Sequence, residues 1–405
     1  METADVLIKN ANELISLKGP NKPRTKKQMS NLGIIKKGSI AIKNEKIIDI
    51  GTNLKYKAKN IIDAKGKTVM PGFVDPHTHL VFAGSREFEL DWKLKGLSYM
   101  DILKKGGGIT YTVDKTRKAT SDQLLYESRK RLDAMLQFGT TSCEAKSGYG
   151  LNTETELKIL KINNKLFESH PINIVSTFLG AHAIPKDSNA EEYTKIVVDE
   201  MIPKVAKYAK FCDVFCEKGV FNPTQSKKIL LTGKKHGLIP KIHADEIVDT
   251  GGAALAADVG AISADHLLMS SDNGLKKMTQ KGVIGVILPG TPFSLMTKEY
   301  ANARKMIDMG IPVALATDLN PNCYIENMQF MIQLACFNMK MTPAEALCAS
   351  TFNAACAIGL NGSVGSLEKG KQADIIILDC PNHLWIPYHF GFNLVETVIK
   401  KGIMI

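Results

Sequence analysis

Residues 72–80 read GFVDPHTHL. A short apolar run, with Phe73 and Val74 at its heart, leads into two histidines two positions apart, His77 and His79. On an extended strand, residues i and i+2 project to the same side. Two imidazoles aimed at one point suit a divalent metal. Alone, an H-x-H is more often a pair of ordinary surface histidines. What decides is whether the chain repeats the motif of an apolar strand closed by a ligand-type residue.

Working outward, further apolar runs occur at 140–144, 172–179, 211–215, 239–243, 261–266, 283–288 and 313–317, eight with the first. Amphipathic stretches separate most of them. Residues 121–138 carry Leu124, Leu125, Leu132, Met135 and Leu136 at helical spacing and stop at Gly139. Residues 153–167 and 224–236 behave alike, and serine or threonine before acidic residues marks several starts as N-caps. Near-continuous apolar strands alternating with helices predict a parallel sheet covered on both faces. Eight such units predict a closed (β/α)8 TIM barrel over residues 71–359. The flanking segments, 1–70 and 360–405, are rich in β-branched residues broken by Gly, Asn and Lys. They are expected to join as one small discontinuous β-sandwich domain.

In such a barrel the functional residues stand at the C-terminal ends of the strands. Three more runs end in ligand types: KIHADE in His243, ISADHL in His266 and VALATDLN in Asp318. Imidazoles with a carboxylate suit a borderline ion such as Zn²⁺ or Fe²⁺. Such an ion lowers the pKa of bound water to about 7. A carboxylate beside that water can take its proton and pass it to a leaving nitrogen. A histidine outside the ligand set can polarise the carbonyl or hold the developing oxyanion. Arg86, in the loop after the first run, could pair with a substrate carboxylate or be a surface arginine. Tyr149 between two glycines, Tyr99 beside Met100, His182 after STFLGAH and Glu246 three beyond His243 could each line the mouth. Each could equally be a packing or solvent-facing residue.

The segments MPGFVDPHTHLVFAGSREFEL, GGGITYTV, TTSCEAKSGYGLN, TFLGAHAIP, CDVFCEKGVF, KIHADEI, ADHLL, GVILPGTPFSL and ATDLNPN run across the whole barrel. Through them the chain resembles the imidazolonepropionase family of the amidohydrolase superfamily. The resemblance implies cytoplasmic hydrolysis of 4-imidazolone-5-propanoate to N-formimidoyl-L-glutamate in histidine degradation, by hydroxide on one divalent metal, Zn²⁺ or Fe²⁺/Fe³⁺. It implies His77, His79, His243 and Asp318 as ligands, with Asp318 also relaying a proton, and His266 as a polarising or proton-transfer residue. It implies Glu246 on the imidazolone ring and as a possible base, and Arg86 on the propionate. Tyr99, Tyr149 and His182 would line the pocket, and Asn320, Asn322 and Cys323 would touch substrate or product. It also implies a homodimer. Two features depart from the pattern. Many members carry Gly-Ser or Gly-Thr where this chain has Asn322-Cys323, and a thiol is the weaker hydrogen-bond partner. Some carry Gln in place of Glu246. Superfamily members with two metals usually place a carbamylated lysine on the fourth strand. Here that run is CDVFCE, with Lys218 only after it, so a single metal is expected.

Composition narrows the alternatives. Lys and Arg outnumber Asp and Glu by 11, and the densest basic run is KPRTKK at 22–27. No nucleic-acid module accompanies it, so the excess is read as solvated helix faces that could steer a small anionic substrate. No apolar run approaches roughly 18 residues, the length of a membrane span. The opening METADVLIKN resembles neither a secretory signal nor a basic transit peptide. The eight cysteines include no C-x-x-C, and Cys212 and Cys216 are read as packing residues in a reducing compartment. Two other readings remain: a deaminase or cyclic amidase for another heterocycle, which would not require Arg86, and a non-catalytic assembly protein, which the retained ligands disfavour.

Overall fold

The computed structural model describes residues 2–97 and 99–405, Tyr99 and Met100 without their side chains. In chain order its strands are β1 (Thr3–Ile15), β2 (Ile34–Lys43), β3 (Lys46–Thr52), β4 (Lys57–Asp63), β5 (Thr68–Pro71), β6 (Phe73–Asp75), β7 (Thr140–Lys146), β8 (Asn173–Ala181), β9 (Phe211–Cys216), β10 (Ile239–Ala244), β11 (Ser263–His266), β12 (Ile284–Ile287), β13 (Val313–Leu315), β14 (Ile375–Leu378), β15 (Val395–Lys400) and β16 (Ile403–Met404).

Each of the eight apolar runs supplies one strand of a parallel sheet in sequence order, β6 to β13. The ring closes where β13 returns to β6: Thr78 bridges Leu319 in parallel, and Asp318 N–H donates to the His77 carbonyl at 3.1 Å. The fold is a (β/α)8 barrel, and its strands are buried because helices cover the outer face. Register sets the site. His243 on β10 lies opposite Asp265 on β11, and Ala244 opposite His266. β6 itself is short and ends at Asp75, so His77 and His79 follow the strand rather than sit within it. The bridge at Thr78 keeps the segment extended, which preserves the i, i+2 relation between them.

The helices form where the amphipathic stretches predict. Ser121–Gln137 is capped by Thr120, whose side chain accepts from Gln123 N–H. The caps of Thr153–Ser169 and Pro223–Lys235 are asparagines instead, Asn152 and Asn222. Asparagine serves an N-cap as well as serine does, because its carbonyl oxygen reaches the same orphan N–H groups. No helix of the described residues is long and apolar enough to cross a membrane.

The terminal strands make a second, mixed sheet in the order β16-β15-β14-β5-β1-β2-β3, with β4 also pairing with β1. Its core holds Val6, Ile8, Leu14, Ile40, Ile42, Val69, Ile375, Ile377 and Ile399, so both ends of the chain bury one face together. Only Gly72 separates β5 of this sheet from β6 of the barrel. A Cβ there would meet the Thr141 side chain at 2.2 Å, so the junction has room for glycine alone. The basic run at 22–27 is not wholly a solvated face. Arg24 is buried, its guanidinium 4.6 Å above the Phe352 ring, and its N–H donates to Asn353 Oδ1 at 2.7 Å. That arginine ties the first segment to the barrel.

Candidate active site

Three histidines and an aspartate converge at the barrel mouth. One ring nitrogen each of His77, His79 and His243 lies within 4.8 Å of the others, and so do ring nitrogens of His77 and His266 and a carboxylate oxygen of Asp318. Nε2 of His77 and Nε2 of His79 stand 3.5 and 3.6 Å from one oxygen, Asp318 Oδ1. Two ligands each about 2.1 Å from a tetrahedral ion are themselves about 3.4 Å apart. The ring of His243 is 4.5 Å from that of His77, and the ring of His266 is 5.2 Å from His243.

The donor set fits a metal on its own chemistry. His77 Nε2 and His243 Nε2 are buried with no hydrogen-bond partner among the described residues. Buried polar atoms rarely go unpaired. Burial pushes His77, His79 and His266 well below the usual imidazole range, reinforced for His77 by the Lys146 charge and for His79 by His182, so these rings are neutral and carry free lone pairs. Burial acts on His243 in the same direction, but the Asp213 carboxylate overrides it and holds that ring above its ordinary value. Burial also raises Asp318 to about 6, against the hydrogen bond that Thr291 Oγ1 donates to Oδ2 at 2.7 Å. That bond occupies one oxygen and leaves Oδ1 facing the histidines.

Backbone strain gathers here. His266 has φ 77°, Leu267 61°, Asp318 55° and Asp245 52°, the left-handed region that non-glycine residues avoid. Such conformations cost of order 1–3 kcal/mol each and persist where the surroundings impose them. Asp245 shows how. Its carboxylate accepts from Thr250 N, Gly252 N, Ala253 N and Ser270 Oγ, fastening the loop that carries Glu246.

Glu246 points back at the site, with Oε1 3.7 Å from His266 Nδ1. Burial, then the nearby Asp318, pushes its carboxyl up to about 8. His182 stacks on His79 with ring centroids 4.7 Å apart. Its Nδ1–H donates to the Gly148 carbonyl at 3.1 Å, and burial, then His243, lowers it to about 3. The Tyr149 ring lies 5.6 Å from His79, and burial raises its hydroxyl. Arg86 is buried and clamped by Glu89, with Nε and Nη2 donating to the two carboxylate oxygens at 2.7 and 2.8 Å. Glu89 also accepts from Gly108 N at 2.7 Å.

Asn320 spends its side chain on its own loop: Nδ2 donates to Asp318 O at 2.7 Å, and Oδ1 accepts from Asn322 N and Cys323 N. Asn322 is not among the positive-φ residues, so its backbone does not require glycine, and Oδ1 accepts from Lys93 Nζ at 2.6 Å. The Cys323 thiol is fully buried and points at the Thr317 carbonyl, 3.5 Å away. The Tyr99 side chain lies outside the described residues. Cys212 and Cys216 are free and buried.

Sequence reasoning missed the layer beneath. Glu144, Lys146, Asp213, Lys241 and Asp265 are all charged and fully buried on β7, β9, β10 and β11. Asp265 Oδ2 accepts from His77 Nδ1 at 2.7 Å, and Asp213 Oδ2 lies 3.1 Å from His243 Nδ1. The signal was a charge inside each apolar run, which a buried strand tolerates only when paired.

The comparisons with known proteins follow this geometry. The profile of the amidohydrolase family matches residues 230–404, and a second amidohydrolase family profile matches 60–104. The imidazolonepropionase of Alkaliphilus metalliredigens (strain QYMF) is 52% identical, covering 98% of this chain and 97% of its own. That of Clostridium tetani (strain Massachusetts / E88) is 48% identical, covering 99% and 98%. The chain belongs to the imidazolonepropionase family. Solved structures agree on the fold. A Xanthomonas campestris adenosine deaminase with bound zinc superposes with TM-score 0.74 at 16% identity, covering 100% of this chain and 93% of its own. A triazine hydrolase variant gives 0.76 at 14%, covering 98% and 94%. Family membership makes this chain an amidohydrolase-type hydrolase, and the cluster at the barrel mouth is where a metal would be held.

Proposed function

We propose that the chain hydrolyses the cyclic amide C–N bond of 4-imidazolone-5-propanoate to N-formimidoyl-L-glutamate, a step of histidine degradation, as a cytoplasmic homodimer using one divalent metal, zinc or iron. The observation that carries the reading is that ring nitrogens of His77, His79 and His243 lie within 4.8 Å of one another, with Asp318 Oδ1 3.5 and 3.6 Å from His77 Nε2 and His79 Nε2. The full-length similarity to imidazolonepropionases supports the substrate. An ion in this cluster supplies water activation near neutral pH and polarisation of a carbonyl oxygen.

The protein's own groups supply the rest. The Asp318 carboxylate, oriented by the Thr291 bond, accepts the proton of the attacking water and returns it to the ring nitrogen as the C–N bond opens. His266 stands beside the ligands to hold the developing oxyanion. Glu246, which burial raises to about 8, contacts the imidazolone ring and is a donor to it while protonated. Glutamine, which some members carry there, mimics a protonated glutamate, so a contact role fits better than a base role. His182, its Nδ1–H committed to Gly148, offers Nε2 as an acceptor. Tyr149 lines the pocket, Arg86 binds the propionate, and the loop of Asn320, Asn322 and Cys323 borders the product.

The test is ultraviolet monitoring of imidazolone consumption by purified protein, with metal content measured on the same sample. Turnover with about one metal per chain is expected. A metal-loaded protein that leaves the imidazolone untouched but releases ammonia from another heterocycle would replace this reading with a deaminase.

A further inference from the structure

We propose that Lys146 is a positioning residue for the metal centre, its ammonium serving as the resident cation of a three-carboxylate nest that fixes the rings of His77 and His243. This rests on the metal-site reading above. Lys146 Nζ donates to Asp213 Oδ2 at 2.6 Å and to Asp265 Oδ2 at 3.3 Å, and lies 3.1 Å from Glu144 Oε2. The first two are the very oxygens that face the ligand histidines: Asp213 Oδ2 toward His243 Nδ1 and Asp265 Oδ2 toward His77 Nδ1. One ammonium thus joins the supports of two ligands that come from different strands.

The consequence is a choice of ring nitrogen. An imidazole nitrogen facing a carboxylate oxygen carries the proton, which leaves the other nitrogen bare for a metal. For His77 that bare nitrogen is Nε2, the same atom left without a partner in the site. The other oxygens of the nest are also held: Ser263 Oγ donates to Asp265 Oδ1 at 2.7 Å, Val214 N to Asp213 Oδ1 at 2.7 Å, and Thr177 Oγ1 to Glu144 Oε1. Lys241 adds a second ammonium, 2.7 Å from Glu144 Oε2. Without Lys146, three buried carboxylates would face one another with Lys241 alone. Their repulsion would move Asp213 and Asp265 off the histidines. His77, Glu144 and Asp265 also lie close enough to hold a cation themselves. The lysines fill that position, which agrees with the single ion proposed for the mouth.

The experiment measures zinc affinity of the full-length protein by chelator competition, alongside the thermal midpoint of the metal-free form and the visible absorption of the cobalt form. Lys146→Met is expected to weaken zinc binding roughly 10–100-fold, as loss of an outer-shell partner does, and to alter the cobalt bands. The double variant Lys146→Met/Glu144→Gln removes one charge of each sign, and it is read instead if the single variant does not fold. A role in folding alone would lower the metal-free midpoint and leave zinc affinity and cobalt bands at wild-type values, and that result overturns the proposal. A wild-type protein that bound no zinc, cobalt or iron would sink the metal-site reading instead. A wild type that bound metal but ignored the imidazolone would sink only the substrate assignment.

Discussion

Arg86 has five N–H donors, and Glu89 takes two of them, from Nε and Nη2. The three left lie on the Nη1 and Nη2 end of the guanidinium, a fork that a propionate can accept from bidentately. Glu89 therefore aims the arginine as well as paying for its burial. Arg86→Ala should remove about 1.5–3 kcal/mol of binding, raising KM roughly 10–100-fold with kcat largely kept. A KM equal to wild type in steady-state assays would take Arg86 out of the substrate site. Glu246 makes a prediction with a sign. Its folded carboxyl is raised to about 8 by burial, then by Asp318, so it is protonated below that pH and loses its donor above it. A divalent ion nearby favours the ionised form and draws the value down. The alkaline limb of kcat/KM should thus fall at or below about pH 8. Glu246→Gln, permanently a donor, should keep activity near neutral pH and lose that limb. A variant profile that superposes on wild type would assign the limb elsewhere.

The loop leaving β7 turns on Gly148, whose φ is 116°. A Cβ there would lie 2.9 Å from His182 Nδ1 and 3.0 Å from Leu179 O, between a ring that must keep its place and a backbone that cannot move. Gly148→Ala should therefore displace His182 from its carbonyl partner and lower kcat/KM on the order of 10²-fold, while metal content stays at wild type. Equal loss of metal would mean that the displacement reaches His79, on which His182 stacks. At this scale the sequence was most legible. Period and composition marked all eight barrel strands, because a strand covered on both faces must be apolar almost throughout. The candidate site residues were legible for the same reason: His243, His266 and Asp318 each end a run that has no need of them for packing. The supporting layer was not. A second run that ends at Glu144 leaves Lys146 outside it, and Asp213 is a single charge inside the apolar stretch CDVFCE. A buried charge becomes intelligible only with its partners, and most of these lie on other strands, 67 residues apart for Lys146 and Asp213. Asn322 shows the converse. It stands where many family members carry glycine, yet its φ is not positive and its side chain accepts from Lys93 of the helix Phe88–Leu94.

Across the whole molecule, the two ends of the chain must meet before the terminal sheet exists. β1 pairs with β2 and β5 from the first segment, and β5 pairs with β14 from the last. One buried carboxylate spans that join. Glu13 on β1 accepts from Lys36 Nζ at 2.8 Å within the first segment, and from His383 N and Nδ1 at 3.0 and 2.8 Å in the last. Burial alone would raise this carboxyl, but the Lys36 and His383 bonds outweigh it and hold it below its ordinary 4.5. A carboxyl whose folded pKa is depressed binds its proton more readily when unfolded. Its stabilisation is therefore complete above the unfolded value and is lost as pH falls through the folded one. Glu13→Gln keeps the shape and removes the charge, and should cost about 1–3 kcal/mol at neutral pH, the scale of hydrogen bonds to a charged group. The difference between wild type and variant in urea midpoint should be constant from neutral pH down to about 5 and shrink below the ordinary glutamate value of 4.5. Metal content at the barrel mouth should not change, since Glu13 lies in the other sheet. If the gap between wild type and variant were the same at pH 4 as at pH 7, the charge would not be what joins the ends, and shape alone would account for the contact.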